Sequence, residues 1–355
     1  MKINFYKKIF FTFLTLVFLI GIFEVTCRLY FSAVREGYNE TALFRAHPFK
    51  AFELNSNQNK LSDQTNSLGL RNKEISPNKE KNSIRILCLG ASTTYSSGAK
   101  NIDTTYPAYL EKILNDSRKD TAFFYEVINA RIPTYTILQN LIDYQTRLID
   151  FQPDILVLMA GLNDATMIIN NSNFKNDYSH YHKNFNISPP AIWEYSAALT
   201  FIFKNFTSPY NKFVKNRNYP LTNIIYKNES GKNSSDLLND KFYKPFKRYL
   251  QYIIDISKKN NISVVIVSQT FKNSGFASAD FNFSNWVEVN KKLNYTAEQT
   301  AKENSIFFFD LYDNFPYNKY KDFFYDVCHL NEEKQGYRIW AEKIYDFMKT
   351  SKLVD

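Results

Sequence analysis

Apolar and polar positions divide the chain into three regimes. Ile9 to Phe23 runs without a charge, residues 31 to 83 are polar with no sustained period, and from Ile84 onward short apolar runs alternate with stretches of helical periodicity. Five runs have the length and β-branched content of buried strands: Ile84 to Leu89, Phe124 to Ile128, Ile155 to Ala160, Ile262 to Val267 and Ile306 to Leu311. Between them, Ile137, Leu138, Leu141, Ile142, Leu148 and Ile149 repeat on one helix face after Thr136 as cap. Phe242, Phe246, Tyr249, Leu250, Ile253 and Ile254 do the same before the fourth strand. Five β-α repeats predict an α/β fold, a mostly parallel five-stranded sheet covered on both faces in three layers.

The other two regimes frame this domain. Lys2, Lys7 and Lys8 precede the uncharged run, which predicts one N-terminal transmembrane helix with its amino terminus in the cytoplasm and the rest of the chain outside. Fifteen residues make a helix of only about 22 Å against a hydrocarbon core of roughly 30 Å, so Val25 to Cys27 and a snorkelling Lys8 are needed to extend it. Glu24 and Arg28 stand four apart and can pair at the far interface. Neither Glu24-Val25-Thr26 before Cys27 nor Phe31-Ser32-Ala33 is a good processing site, so an uncleaved anchor over residues 1–30 is expected. Residues 31–83 read as a linker lying along the domain, with His47-Pro48-Phe49 and Asn66 to Arg71 as its ordered pieces. The catalytic domain is expected over 84–355, interrupted by a long insertion at 165–239. In that insertion Trp193, Tyr195, Tyr210 and Tyr219 offer aromatic surface for sugars or an acyl chain.

Composition narrows the classes. A net charge of +9 spread over scattered lysines, without a dense basic block, argues against a nucleic-acid partner. Three widely spaced cysteines exclude a disulfide framework and a zinc site of cysteine pairs. Cys88 lies too far down its strand to meet Cys328, and reads as core. His180 and His182 lack acidic or thiol companions at ligand spacing, so no metal is expected there and a solvated loop is the reading. No cofactor is implied.

The chemistry falls at the carboxyl ends of strands, where open α/β sheets hold their ligands. Gly90-Ala91-Ser92-Thr93-Thr94 follows the first strand, Asn129 to Thr136 the second, Gly161-Leu162-Asn163-Asp164 the third and Asp326-Val327-Cys328-His329 the fifth. Together they offer the parts of acyl transfer: Ser92 as nucleophile, His329 as base, Asp326 to orient it, and the Ser92 N–H with the Asn163 amide to face an oxyanion. These blocks, in this order and with Gly336 beyond the last, resemble the SGNH or GDSL-like hydrolase family over nearly all of Ile84 to Met348. Asn66 to Arg71 and the amino-terminal helix resemble its membrane-tethered bacterial members.

The resemblance implies a flavodoxin-like sheet and hydrolysis of acyl esters, O-acetyl carbohydrate or lipid esters, through an acyl-enzyme at Ser92. An O-acyltransferase with the same residues and a catalytically silent binding module are the alternatives. Ala91 stands where many members have Asp. Thr134 stands where the resemblance implies an oxyanion-hole glycine donating through its N–H. Since a β-branched residue seldom tolerates positive φ, the expectation is a turn with negative φ at Thr134.

Overall fold

The computed structural model describes residues 5–33, 43–169, 174–182, 195–206, 234–272, 283–316 and 323–354. Trp193, Tyr210 and Tyr219 lie outside the described residues.

A long helix, α1 (Phe5–Ala33), precedes the domain; it is long and apolar enough to cross a membrane. Five parallel strands then form one sheet. They are β3 (Ser83–Gly90), β4 (Phe124–Asn129), β5 (Ile155–Met159), β6 (Ser263–Val267) and β7 (Phe307–Phe309), in the spatial order β4-β3-β5-β6-β7. The chain starts in the middle of the sheet, adds β4 on one side and then crosses to add β5, β6 and β7 on the other. The carboxyl ends of β3 and its neighbours therefore flank a crevice at the switch point.

Strand residues alternate between two cores because successive side chains point to opposite faces. Leu87, Leu89, Leu156, Leu158, Val264 and Ile266 pack beneath α4 (Ile137–Thr146), α5 (Leu162–Ile169), α8 (Lys244–Lys259) and α9 (Phe283–Asn304). Ile86, Cys88, Val157, Met159, Val265 and Val267 pack beneath α3 (Tyr106–Ser117) and α10 (Gly336–Thr350), with Trp340 fully buried between them. Shorter helices are α2 (Ser92–Tyr95), α6 (Ser179–His182) and α7 (Ala197–Phe206).

Two features differ from the sequence reading. The stretch read as linker contains an antiparallel hairpin of β1 (Phe44–His47) and β2 (Ala51–Leu54), whose Phe44, Phe52 and Leu54 pack on Tyr95, Ile132 and Tyr135. Four-residue strands with Arg45 facing Glu53 are too short and too polar to announce themselves by period; tertiary packing makes them. His180, read as part of a solvated loop, is buried beside the Phe174 and Tyr178 rings.

Edge strand β4 is closed by side chains instead of a sixth strand. Asn115 exchanges two hydrogen bonds with the Tyr125 backbone, Glu111 accepts from the Val127 N–H, and Asn72 bonds the Val127 carbonyl and the Asn129 N–H. An unpaired edge invites association with other chains; three side chains remove most of that opportunity. They also tie residue 72, and with it the segment from Asn66, to the sheet.

Candidate active site

The turn leaving β3 brings two strands into close backbone approach. Gly90 has φ +157, and a Cβ there would lie 1.9 Å from the Met159 carbonyl oxygen of the adjoining strand, so only glycine lets β3 end this close to β5. Ala91 follows at φ −138 and ψ −143, and Ser92 opens α2 with its side chain half-buried at the sheet edge. The helix is braced from below: the Arg71 guanidinium lies 4.1 Å over the Tyr95 ring and donates to the Ala99 carbonyl. The Asn66 carboxamide organises the turn that brings Arg71 in, accepting from the Leu68 and Leu70 N–H groups and donating to the Lys73 carbonyl.

Opposite Ser92 stands the loop of Asp326 to His329. Asp326 Oδ1 accepts from the backbone N–H groups of Cys328 and His329 at 2.9 and 2.7 Å, folding the loop around its own carboxylate. Asp326 Oδ2 lies 2.6 Å from His329 Nδ1, and His329 Nε2 lies 2.7 Å from Ser92 Oγ. One chain of hydrogen bonds thus runs from carboxylate through imidazole to hydroxyl. With Nδ1 on the carboxylate, the proton sits on that nitrogen and Nε2 is left to accept from the serine.

Burial would raise Asp326, yet bonds from the His329 ring and the two N–H groups hold it below the usual carboxylate range. Burial likewise works against the imidazolium, and the adjacent Cys328 sulfur and Asp326 carboxylate overcome it, pushing His329 well above its ordinary value. Burial pushes the Cys328 thiol up as well. Asp326, Cys328 and His329 bring potential metal-ligand atoms within 4.8 Å of one another. Both imidazole nitrogens are already engaged by Asp326 and Ser92, which leaves His329 no lone pair aimed at an ion.

The loop after β4 supplies the third wall, and here the expectation at Thr134 is overturned. Its φ is +73, in the left-handed region. The Tyr135 N–H reaches back to the Ile132 carbonyl at 3.4 Å, with Pro133 second and Thr134 third in a four-residue turn. That is the pattern of a type II turn, which demands positive φ at its third residue and usually takes glycine. Neighbours hold threonine there. Asn163 Nδ2 donates to the Tyr135 carbonyl at 3.0 Å, the Tyr135 hydroxyl donates to Phe52 of the hairpin, and Asp164 accepts from the Ile137 N–H and the Tyr178 hydroxyl. Complete burial pushes Asp164 up to about 7, with those two donors restraining the rise. Backbone strain at a β-branched residue in this region costs on the order of 1–2 kcal/mol, which the clamps on both sides of the turn offset.

Asn163 therefore spends one amide hydrogen on the loop that carries Thr134, which fixes the two candidate donors relative to each other and leaves its second hydrogen for a ligand. An aromatic not singled out in the sequence also belongs here. Tyr325 stacks on the His329 ring at 5.7 Å between centroids, is 53% exposed, and would be struck by a Cβ on Gly98. Its only sequence signal is its position directly before Asp326.

A family model described as "GDSL-like Lipase/Acylhydrolase family" matches residues 88–339. No curated protein matches. Solved structures similar to the chain include an α/β hydrolase enzyme from the metagenome of Lake Arreo, Spain, at 11% identity and TM-score 0.45, covering 75% of this chain and 95% of that one. A catalytic mutant of an acetylxylan esterase from Geobacillus stearothermophilus has 14% identity and TM-score 0.45, covering 75% and 94%. The lipase/acylhydrolase from Enterococcus faecalis has 13% identity and TM-score 0.43, covering 76% and 96%.

Proposed function

Because this chain belongs to the GDSL-like lipase/acylhydrolase family and is an ester-hydrolysing enzyme, we propose that it works through an acyl-enzyme at Ser92, with His329 as base and Asp326 as its orienting partner. The observation that carries this reading is the unbroken hydrogen-bond chain from Asp326 through His329 to Ser92 Oγ. Ser92 Oγ attacks the ester carbonyl carbon as its proton passes to His329 Nε2. The oxyanion that forms faces the N–H groups of Ser92 and Thr134 and the free Asn163 amide hydrogen. Collapse expels the alcohol, which takes the proton from His329. Water then attacks the acyl-enzyme, gives a proton to His329, and releases the carboxylic acid while Ser92 regains its hydrogen.

The substrate proposed is a short-chain ester, an O-acetyl carbohydrate or a lipid ester. What supports a short acyl group is the Thr134 side chain, which stands on the oxyanion loop where glycine would leave space. We place the enzyme outside the cytoplasmic membrane on a retained α1, amino terminus inside. Supporting retention, Cys27 and Phe31 of α1 pack against Ala197 and Ala198 of the insertion.

Acetyl, butyryl and octanoyl esters of one alcohol, assayed with and without a glycan acceptor, test the chemistry. Acid release independent of acceptor, fastest for acetyl, is expected; acceptor-dependent ester formation would make it a transferase. Protease added to intact spheroplasts should remove the catalytic domain and leave an amino terminus that begins before residue 23. Full protection of that domain would overturn the topology.

A further inference from the structure

α1 carries a carboxylate at the outer end of its uncharged run, where a membrane helix reaches the interface. Glu24 follows the uncharged run directly, and an ionised side chain at such a place marks a partner. Sequence offers Arg28 one turn on, and the two do meet at 2.7 Å. The structure adds three further donors from more than 170 positions along the chain. Ser196 Oγ, the Ala197 N–H and the Ala198 N–H reach the Glu24 carboxylate at 2.7, 3.0 and 2.9 Å. The carboxylate of α1 is thus the amino-terminal cap of α7, where free N–H groups and the helix dipole both favour negative charge.

The two helices are packed as well as capped. Ala197 and Ala198 are small enough to bring the backbones together over Cys27 and Phe31, the only buried residues of α1. Phe201 sits edge-on to Phe23, Tyr30 and Phe31, with centroids 6.3, 5.6 and 6.5 Å away. Among the described residues the opposite side of α7 is apolar and open: Leu199 and Ile202 are each 40% exposed and Phe206 is 76% exposed. Ala197 to Phe206 carries one charge, Lys204.

We propose that α7 is a second membrane-contacting helix, docked on the outer end of α1 by Glu24 and laying Leu199, Ile202 and Phe206 against the lipid of the outer leaflet. This rests on the reading of α1 as a retained anchor. The occupant follows from continuity. Among the described residues nothing covers the apolar surface of α1 below Phe23, which requires hydrocarbon around it, and α7 is packed on the end of that surface through Phe23, Cys27, Tyr30 and Phe31. Ten residues span about 15 Å, half the roughly 30 Å hydrocarbon core, so α7 lies at the boundary and does not cross it. The insertion then holds the domain to the membrane at two points, and a pivoting tether becomes a fixed platform.

The test uses the full chain in vesicles of phosphatidylethanolamine and phosphatidylglycerol. Its three cysteines are buried, so the parent gives a low labelling blank. Ile202→Cys and Phe206→Cys each carry an environment-sensitive fluorophore, and Lys259→Cys on the exposed end of α8 serves as the water-facing reference. Lipids with a nitroxide near the headgroup should quench positions 202 and 206 several-fold more than 259, and aqueous iodide should do the reverse. Adding Glu24→Ala should move both probes toward the behaviour of 259 while fluorophosphonate labelling of the domain is unchanged.

Iodide quenching of 202 and 206 equal to that of 259, in a protein whose amino terminus is intact, would overturn the proposal alone. Loss of α1 by processing would overturn the anchor reading and the proposal with it. Protection from both quenchers that depends on protein-to-lipid ratio would mean a second copy covers α7, and would also overturn it.

Discussion

Two turns at the same edge of the sheet do comparable work by opposite means. After β3, a Cβ on Gly90 would lie 1.9 Å from the Met159 carbonyl oxygen, and the residue type itself makes the turn possible. After β4, Thr134 occupies φ +73 although its side chain disfavours it, and the turn is made by what surrounds it: Asn163 on the Tyr135 carbonyl, Asp164 on the Ile137 N–H, and the hairpin beneath Tyr135. The first turn is local and the second tertiary. A local turn should fail outright when its one residue changes; a clamped turn should tolerate change at the strained residue and suffer when a clamp is removed.

Gly90→Ala should give the largest effect. The clash is with backbone, which cannot swing aside, so the domain should fail to accumulate folded; a melting transition and activity equal to the parent would show β3 able to retreat from β5. Asp326→Asn comes next, with kcat lowered on the order of 10³ to 10⁴ by the wrong imidazole tautomer while the fold persists. Its pH profile carries a separate sign. Hydrolysis needs neutral His329, and Asp326 raises the pKa of that group, so the parent's acid limb lies above the ordinary histidine range and should move down in Asp326→Asn. A limb that stays in place would remove Asp326 from the role proposed for it.

Asn163→Ala should lower kcat about 10²- to 10³-fold, since it deletes a donor and loosens the Thr134 turn together. Loss confined to KM would contradict that. Thr134→Gly should be the mildest change. Relief of strain and the extra freedom of glycine in the unfolded chain nearly cancel, leaving stability within about 1 kcal/mol of the parent. Activity on acetyl esters should persist and tolerance for octanoyl esters should widen. A large gain in acetyl kcat would instead mean that threonine spoils the native donor geometry.

What the sequence made legible follows the same division. The sheet was readable because burial on both faces forces near-continuous apolar runs, and all five appear within two residues of their structural limits. The helix after Thr136 was readable because the Gln139 carboxamide oxygen closes back on the Thr136 N–H, a local device with a local signature. The hairpin at Phe44 to Leu54 was not, since its two short strands depend on Tyr95, Ile132 and Tyr135 from elsewhere. Nor was the positive φ of Thr134, because Pro-Thr carries no left-handed signal and its clamps come from residues 52, 163 and 164. For the site, residue types and their order along the strand ends were in the sequence; the distances among them, the partner of Asn163 and the stacking of Tyr325 were not. Glu24 shows the same limit: its spacing to Arg28 was visible, and its bonds to residues 196–198 were hidden by a separation of more than 170 positions.

The chemistry proposed for the site turns on Ser92 as the nucleophile that His329 activates. Reaction with a fluorophosphonate, followed by mass spectrometry of the peptides, tests it most directly. A single adduct on Ser92, much slower formation in His329→Ala, and none in Ser92→Ala are expected. An adduct on another residue, or ester hydrolysis at the parent rate in Ser92→Ala, would contradict it.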